Sequence, residues 1–166
     1  MIYKDIDLSY GKRYNCSMYL GLYNSVVTKK YQLSFPSRFV EQTGEKLLIT
    51  TWFEKSLLIL PYDKGESILT EIISDTSSLL PEVRDLERFF YGNAQEVKVG
   101  DKNRFNLSQK LREYAQIEKE AIFIGVSERI ELWDKNVYEN YGKIREVQIR
   151  ETAISHYNRI LSFKHK

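Results

Sequence analysis

Residues 120–133, EAIFIGVSERIELW, repeat a pattern that the chain has already used at residues 46–60, KLLITTWFEKSLLIL. In each, an apolar run enters a polar break and leaves as a second apolar run, the writing of two buried strands around a turn. Upstream of each lie the same parts: a short basic turn, a strand and a helix start. They read TKKYQLSFPSRFVEQ at 28–42 and GDKNRFNLSQKLREY at 100–114. The offset of about 72 residues is too long for a solenoid and suits a duplicated small domain. A chain written this way carries two copies of one binding element, which can engage two adjacent features of an extended ligand.

With 166 residues there is room for one ordinary domain or two small ones. Apolar residues make up 42% and aromatics 13%, enough to bury a core, which excludes a disordered chain. Twelve Tyr and eight Phe, with abundant Ile and Val, favour strands. A net charge of +2 neither demands nor excludes nucleic acid, so local clustering must decide. Cys16 is the only cysteine, which rules out an intramolecular disulfide and leaves secretion without support from that source. No stretch approaches the roughly 18 uninterrupted apolar residues of a membrane span. Lys4, Asp5 and Asp7 stand where a signal peptide needs an apolar core, so a reducing cytoplasm is the expected compartment.

Residues 1–17 are polar and weakly patterned. In MYLGLYNSVV (18–27), Tyr19, Gly21, Tyr23 and Ser25 alternate with Leu20, Leu22 and Val26, the period of a strand. A basic turn at 29–32 leads to a short strand at 33–35, and Pro36 opens a short helix stopped by Gly44. KLLITT and SLLILP predict two buried strands around a turn at Trp52–Lys55, and Ile68, Leu69, Ile72 and Ile73 predict a helix between Tyr62 and Asp75. The Ser-rich stretch 74–82, with Pro81, is the expected linker. A helix at 82–90 then precedes the second copy: strand 94–99, turn 100–104, strand 105–107, helix 108–115 and strands 120–126 and 129–133. Residues 134–141 match the helix that follows Pro61. The tail from Gly142 spaces Ile144, Val147, Ile154, Tyr157 and Leu161 at helical intervals and carries six Lys/Arg against two Glu.

No constellation supports catalysis. His156 and His165 lie nine residues apart with no cysteine or carboxylate at ligand spacing, and Cys16 has no nearby histidine to activate it. Neither G-x-G-x-x-G nor G-x-x-x-x-G-K occurs. The basic turns are better candidates. Lys29 and Lys30 stand at the tip between two strands, and Lys102 and Arg104 stand at the matching tip. A two-stranded ribbon fits the major groove, where Lys can meet phosphates and Arg the O6 and N7 of guanine. Solvated turns are commonly rich in Lys, Asn and Gly for no further reason. Positive charge at the same relative site in both copies is what raises these two above that background. Trp133, in an apolar strand, is expected in the core, and Gly125 is expected to mark a strand end.

MYLGLYNSVV at 18–27, DLERFFYGNAQEV at 85–97 and IFIGVSERIELWDKNVYENY at 122–141 resemble the MraZ family of bacterial regulators, from Met18 to about Tyr141. Gly125 with Glu131–Leu132–Trp133 is the most specific part of the likeness. The resemblance implies an α+β fold of tandem AbrB-like swapped-hairpin halves with short helices, forming a pseudo-two-fold duplicated domain. It also implies a ring-shaped homo-oligomer that binds short direct repeats in double-stranded DNA upstream of its own operon, in the division and cell-wall gene cluster, and generally represses it. Members usually carry D-x-x-x-R across the DNA-contacting loop of each half. Here Gly100 and Arg104 occupy those places in the second copy, with Asp101 one place late, while Thr28 and Gln32 occupy them in the first. Gln32 can pair with a base edge, adenine best, but lacks the charge-assisted contact to guanine. The missing aspartates predict a less pre-organised loop.

The expected organisation is an N-terminal extension (1–17), a first half (18–80), a second half (81–141) and a basic helical tail (142–166). The expected protein is a cytoplasmic, nucleoid-associated, sequence-specific transcriptional regulator, with no enzyme activity, no cofactor, no metal and no membrane partner. Lys29, Lys30, Gln32, Lys102, Asn103 and Arg104 form its candidate DNA-contacting set. An oligomeric structural or protein-interaction ring with weak or non-specific DNA binding is the alternative.

Overall fold

The apolar runs become strands and helices in the order the sequence writes them. The computed structural model describes residues 18–73 and 80–164, with side chains through residue 157. The extension at 1–17 with Cys16, most of the expected linker and His165 lie outside the described residues. The strands are β1 (Tyr19–Val26), β2 (Gln32–Ser34), β3 (Lys46–Thr51), β4 (Leu57–Pro61), β5 (Gln95–Lys98), β6 (Arg104–Asn106), β7 (Glu120–Ser127) and β8 (Arg129–Asp134). The helices are α1 (Ser37–Thr43), α2 (Tyr62–Ile73), α3 (Pro81–Phe90), α4 (Gln109–Ala115) and α5 (Lys135–Lys164). The fold is α+β with antiparallel sheets. Six strands form one sheet in the order β1-β7-β8-β4-β3-β5, and β2 and β6 form a separate ribbon.

Both faces of the sheet are used, which explains why LLILP reads as an unbroken apolar run. Leu57 and Ile59 enter the larger core with Phe35, Phe39, Phe105 and Phe123, whereas Leu58 and Leu60 face the opposite way. There Leu69 and Ile73 of α2 and Val83 and Phe90 of α3 cover them. Two buried threonines lock α3 to β3: Thr50 Oγ1 donates to the Phe90 carbonyl (2.5 Å) and Thr51 Oγ1 to the Phe89 carbonyl (2.6 Å). These satisfy acceptors that a helix C-terminus otherwise leaves open. In β1 the face that turns inward carries Tyr19, Tyr23 and Ser25, because the two rings meet Phe39 edge-on at 5.9 and 5.0 Å. Leu20, Leu22 and Val26 are left exposed.

The helix stop at Gly44 is as expected: it takes φ 76° and donates its N–H to Val40. Trp133 is core, with its ring against Tyr138 and Tyr141 and its Nε1 donating to Glu131 Oε2 at 3.1 Å. Asp134 caps the last helix, its Oδ1 accepting from the N–H groups of Asn136 (2.9 Å) and Val137 (3.1 Å). That helix runs without interruption through Gly142, so the expected helix after β8 and the described part of the tail are one element, Lys135–Lys164.

Gly125 does not mark a strand end. It lies within β7, directly opposite Gly21 of β1, and a Cβ there would sit 2.5 Å from Tyr19 C and Leu20 N. The missing side chain lets two backbones approach, which a local reading of "FIG" cannot reveal. Gly125→Ala is expected to cost about 1–3 kcal/mol through overpacking against backbone that cannot step aside. Gly92→Ala, where nothing lies within 4 Å of the added Cβ, should stay within about 0.5 kcal/mol. Urea denaturation of the two variants checks both.

Across β3 and β5, Lys46 Nζ meets Glu96 Oε1 at 3.0 Å. The hydrogen bond from Lys46 holds the Glu96 carboxyl below the usual range and raises the lysine. The pair therefore supports folding at neutral pH, and its contribution is lost as the solution is acidified through the glutamate's titration. Lys46→Met should move the Glu96 titration upward in a carbon-detected NMR series.

Candidate nucleic-acid interface

The strands beside each basic turn do not pair with each other. β1 pairs with β7, and β2 pairs with β6 in the register Gln32↔Asn106, Leu33↔Phe105, Ser34↔Arg104. Leu33 and Phe105 point into the core, so the alternation of a strand sends Gln32, Ser34, Arg104 and Asn106 to the outer side. Ser34, Arg104 and Asn106 are exposed and Gln32 is half-buried. Because the ribbon is antiparallel, the two turns lie at its opposite ends, roughly 7 Å apart along three residues of strand. The expected picture of two separate basic tips is thereby replaced by one polar strip with a basic turn at each end.

The first turn is tied by its own threonine. Thr28 N–H donates to the Gln32 carbonyl (2.9 Å), Tyr31 N–H to the Thr28 carbonyl (2.8 Å) and Gln32 N–H to Thr28 Oγ1 (3.1 Å). Tyr31 takes φ 57°, and its ring carries the Arg112 guanidinium of α4 at 3.8 Å. The expected looseness of this loop is not what the structure has: a threonine hydroxyl accepts the backbone N–H. Lys29 and Lys30 project from the turn into solvent.

In the second turn Gly100 N–H donates to the Arg104 carbonyl (2.8 Å), and Lys102 and Asn103 both adopt left-handed φ, 57° and 55°. Asn103 is held: its carbonyl accepts from Phe35 N–H (2.7 Å) and its Nδ2 donates to Ser37 Oγ (3.0 Å). It is half-buried and anchors the turn to the start of α1, while Lys102 and Arg104 stay exposed. Ser25 steadies the ribbon from beneath, accepting from Ser34 N–H (3.1 Å) and donating to the Ser34 carbonyl (3.2 Å). Ser34 and Asn106 belong to the strip and were not singled out from sequence. The only signal for them is the pairing of β2 with β6 across some 70 residues, which no local pattern carries.

The arrangement suits an extended anionic ligand. Four exposed cations, on Lys29, Lys30, Lys102 and Arg104, flank a row of uncharged hydrogen-bonding groups on the ribbon. Among the described residues no cluster of three His, Cys, Asp or Glu is placed to hold a metal, and no helix is long and apolar enough to cross a membrane.

A two-stranded ribbon with such a strip has the dimensions of the β-ribbons that some DNA-binding proteins lay in the major groove. The family model described as "MraZ protein, putative antitoxin-like" matches residues 90–155. A protein of Caldanaerobacter subterraneus subsp. tengcongensis called "Transcriptional regulator MraZ" is 35% identical over 82% of this chain and 94% of its own length. Proteins of the same name are similar in Desulfitobacterium hafniense (33% identical, 85% of this chain and 98% of that one) and Acetivibrio thermocellus (36% identical, 75% and 87%). The chain belongs to the MraZ family.

Thr28→Val keeps the shape of the side chain and removes the acceptor for the Gln32 N–H. It is expected to lower stability by about 1 kcal/mol and to speed amide hydrogen exchange at Gln32 relative to the rest of β2.

Proposed function

We propose that this protein is a sequence-specific DNA-binding transcriptional regulator, acting as a repressor in the cytoplasm at the nucleoid, and not an enzyme. The observation that carries the reading is the polar outer strip of the β2–β6 ribbon between two basic turns. Arg104 and Gln32 contact base edges, with Ser34 and Asn106 between them, while Lys29, Lys30 and Lys102 contact phosphates. Asn103 serves by holding the second turn in place.

The reading extends to two AbrB-like swapped-hairpin halves, 18–80 and 81–141, related by a pseudo-two-fold. In its support, the sheet order reads the same from either end once each strand of the first half is exchanged for its counterpart in the second. α1 and α4 are both seven residues long and follow β2 and β6. In this reading the chains assemble into a ring, so that weak contacts repeated around it meet short direct repeats upstream of the protein's own division and cell-wall operon.

The turns are unequal: Thr28 and Gln32 in one, Gly100 and Arg104 in the other. That asymmetry favours a second reading, a ring that binds DNA weakly and without specificity. Mobility shifts against the DNA upstream of the gene, with scrambled DNA and a salt series, separate the two. A regulator prefers the repeat-bearing DNA, and its affinity falls steeply with salt. Arg104→Ala is expected to lose about 1–3 kcal/mol of that preference. Lys29→Ala and Lys30→Ala should weaken binding to all sequences alike and lower the salt slope by about one each. Equal binding to both DNAs would leave the second reading standing.

A further inference from the structure

An aromatic cleft opens where the 3-10 turn Phe53–Lys55 meets α3 and α4. It is a shallow, open groove of about 840 Å³, walled by Phe53, Leu86, Phe89 and Tyr114. Phe53 is 45% exposed and Leu86 37%, unusual for side chains of this size gathered in one place. The walls are fixed in advance. Tyr114 O–H donates to the Trp52 carbonyl (2.5 Å), and Phe53 stacks on Phe89 at 6.0 Å. Glu54 and Glu82 give the rim its acidic charge, beside the Lys55 ammonium over the Tyr114 ring, while Asp85 is paired with Arg88 Nη1 at 2.9 Å.

The complement of this cleft is written in the last helix. α5 is 30 residues long, about 45 Å. Its start is held by Trp133 against Tyr138 and Tyr141, but every residue from Lys143 to Tyr157 is exposed. Ile144, Val147 and Ile154 line one side at spacings of three and seven, exposed by 72, 65 and 56%. A bare helical segment of this length is marginal in water and gains its stability from a packed partner. The stretch from Gly142 onward carries six Lys/Arg against two Glu, opposite in sign to the rim of the cleft.

We propose that the α5 helix of one copy docks its Ile144–Val147–Ile154 side into the Phe53–Leu86–Phe89–Tyr114 cleft of a second copy, with its basic residues against the acidic rim. The occupant comes from another molecule because α5 is one continuous helix whose residues 143–157 all lie exposed in their own chain. Pairing α5 with α5 would set basic helix against basic helix and leave the cleft open. Cleft and helix are different surfaces, so the contact is head-to-tail, the kind that closes into a ring when the rotation permits. The inference rests on the oligomeric reading above and names its interface.

Two variants of the full chain test it: Val147→Asp with Ile154→Asp on the helix, and Glu82→Lys with Leu86→Lys at the cleft. All four positions are exposed, and circular dichroism checks that each variant is folded. In light scattering each variant alone should fall from the parent's oligomeric mass to that of one chain. An equimolar mixture should give a dimer and nothing larger, since one intact cleft then meets one intact helix. If the helix variant dissociates while the cleft variant keeps the parent mass, α5 pairs with α5 and the proposal is wrong. It is equally wrong if both keep the parent mass, or if the mixture stays monomeric. A monomeric parent would instead overturn the oligomeric reading itself.

Discussion

The eight-residue ladder between β1 and β7 is the contact on which the other parts depend. It joins the start of the described chain to a strand about a hundred residues later, with Gly21 against Gly125 as its third pair. The ladder continues past β1, where Val27 N–H donates to the Lys119 carbonyl and the chain enters its first basic turn. Ser25, inward on β1, then grips both the N–H and the carbonyl of Ser34. The position of the ribbon, and so of every candidate DNA-contacting residue on it, follows from this pairing. A shift of one residue would turn Tyr19, Tyr23 and Ser25 outward and leave the ribbon without its support.

Buried and half-buried polar groups serve as joints. Thr50 and Thr51 close the end of α3, Asp134 starts α5, Ser108 starts α4, and Asn103 ties the second turn to α1. The threonines, Asp134 and Ser108 meet backbone groups at helix ends that have no partner within the helix. The bonds of Ser25 to Ser34 and of Asn103 to Phe35 and Ser37 tie the short three-residue ribbon to the body.

Elements whose signal is local were legible. Alternation marked β1, unbroken apolar runs marked β3, β4, β7 and β8, and Gly44 stopped α1. Trp133 read as core and is core. The six candidate contact residues were visible as two basic turns, and the structure keeps four as exposed cations while giving Asn103 an anchoring job. Gly125 was misread because the reason for it, the backbone of β1, lies far away in sequence. Thr28 looked like a lost aspartate, yet its hydroxyl accepts a backbone N–H within its own turn. Ser34 and Asn106 gave no signal at all, since neither residue type nor spacing sets it apart.

What the sequence determined by itself was the set of elements, their order, the likeness of its two stretches and the positive charge at each turn. These follow from periods of two and 3.6 residues and from turn chemistry, which act over a few residues at a time. The tertiary structure alone decided which strands pair, which side of each strand faces out, and that two turns share one ribbon. It also decided that a basic helix and an acid-rimmed cleft stand on separate parts of one surface. Those choices rest on contacts between residues far apart in the chain, where the gain comes from burying shared faces and no local pattern records it.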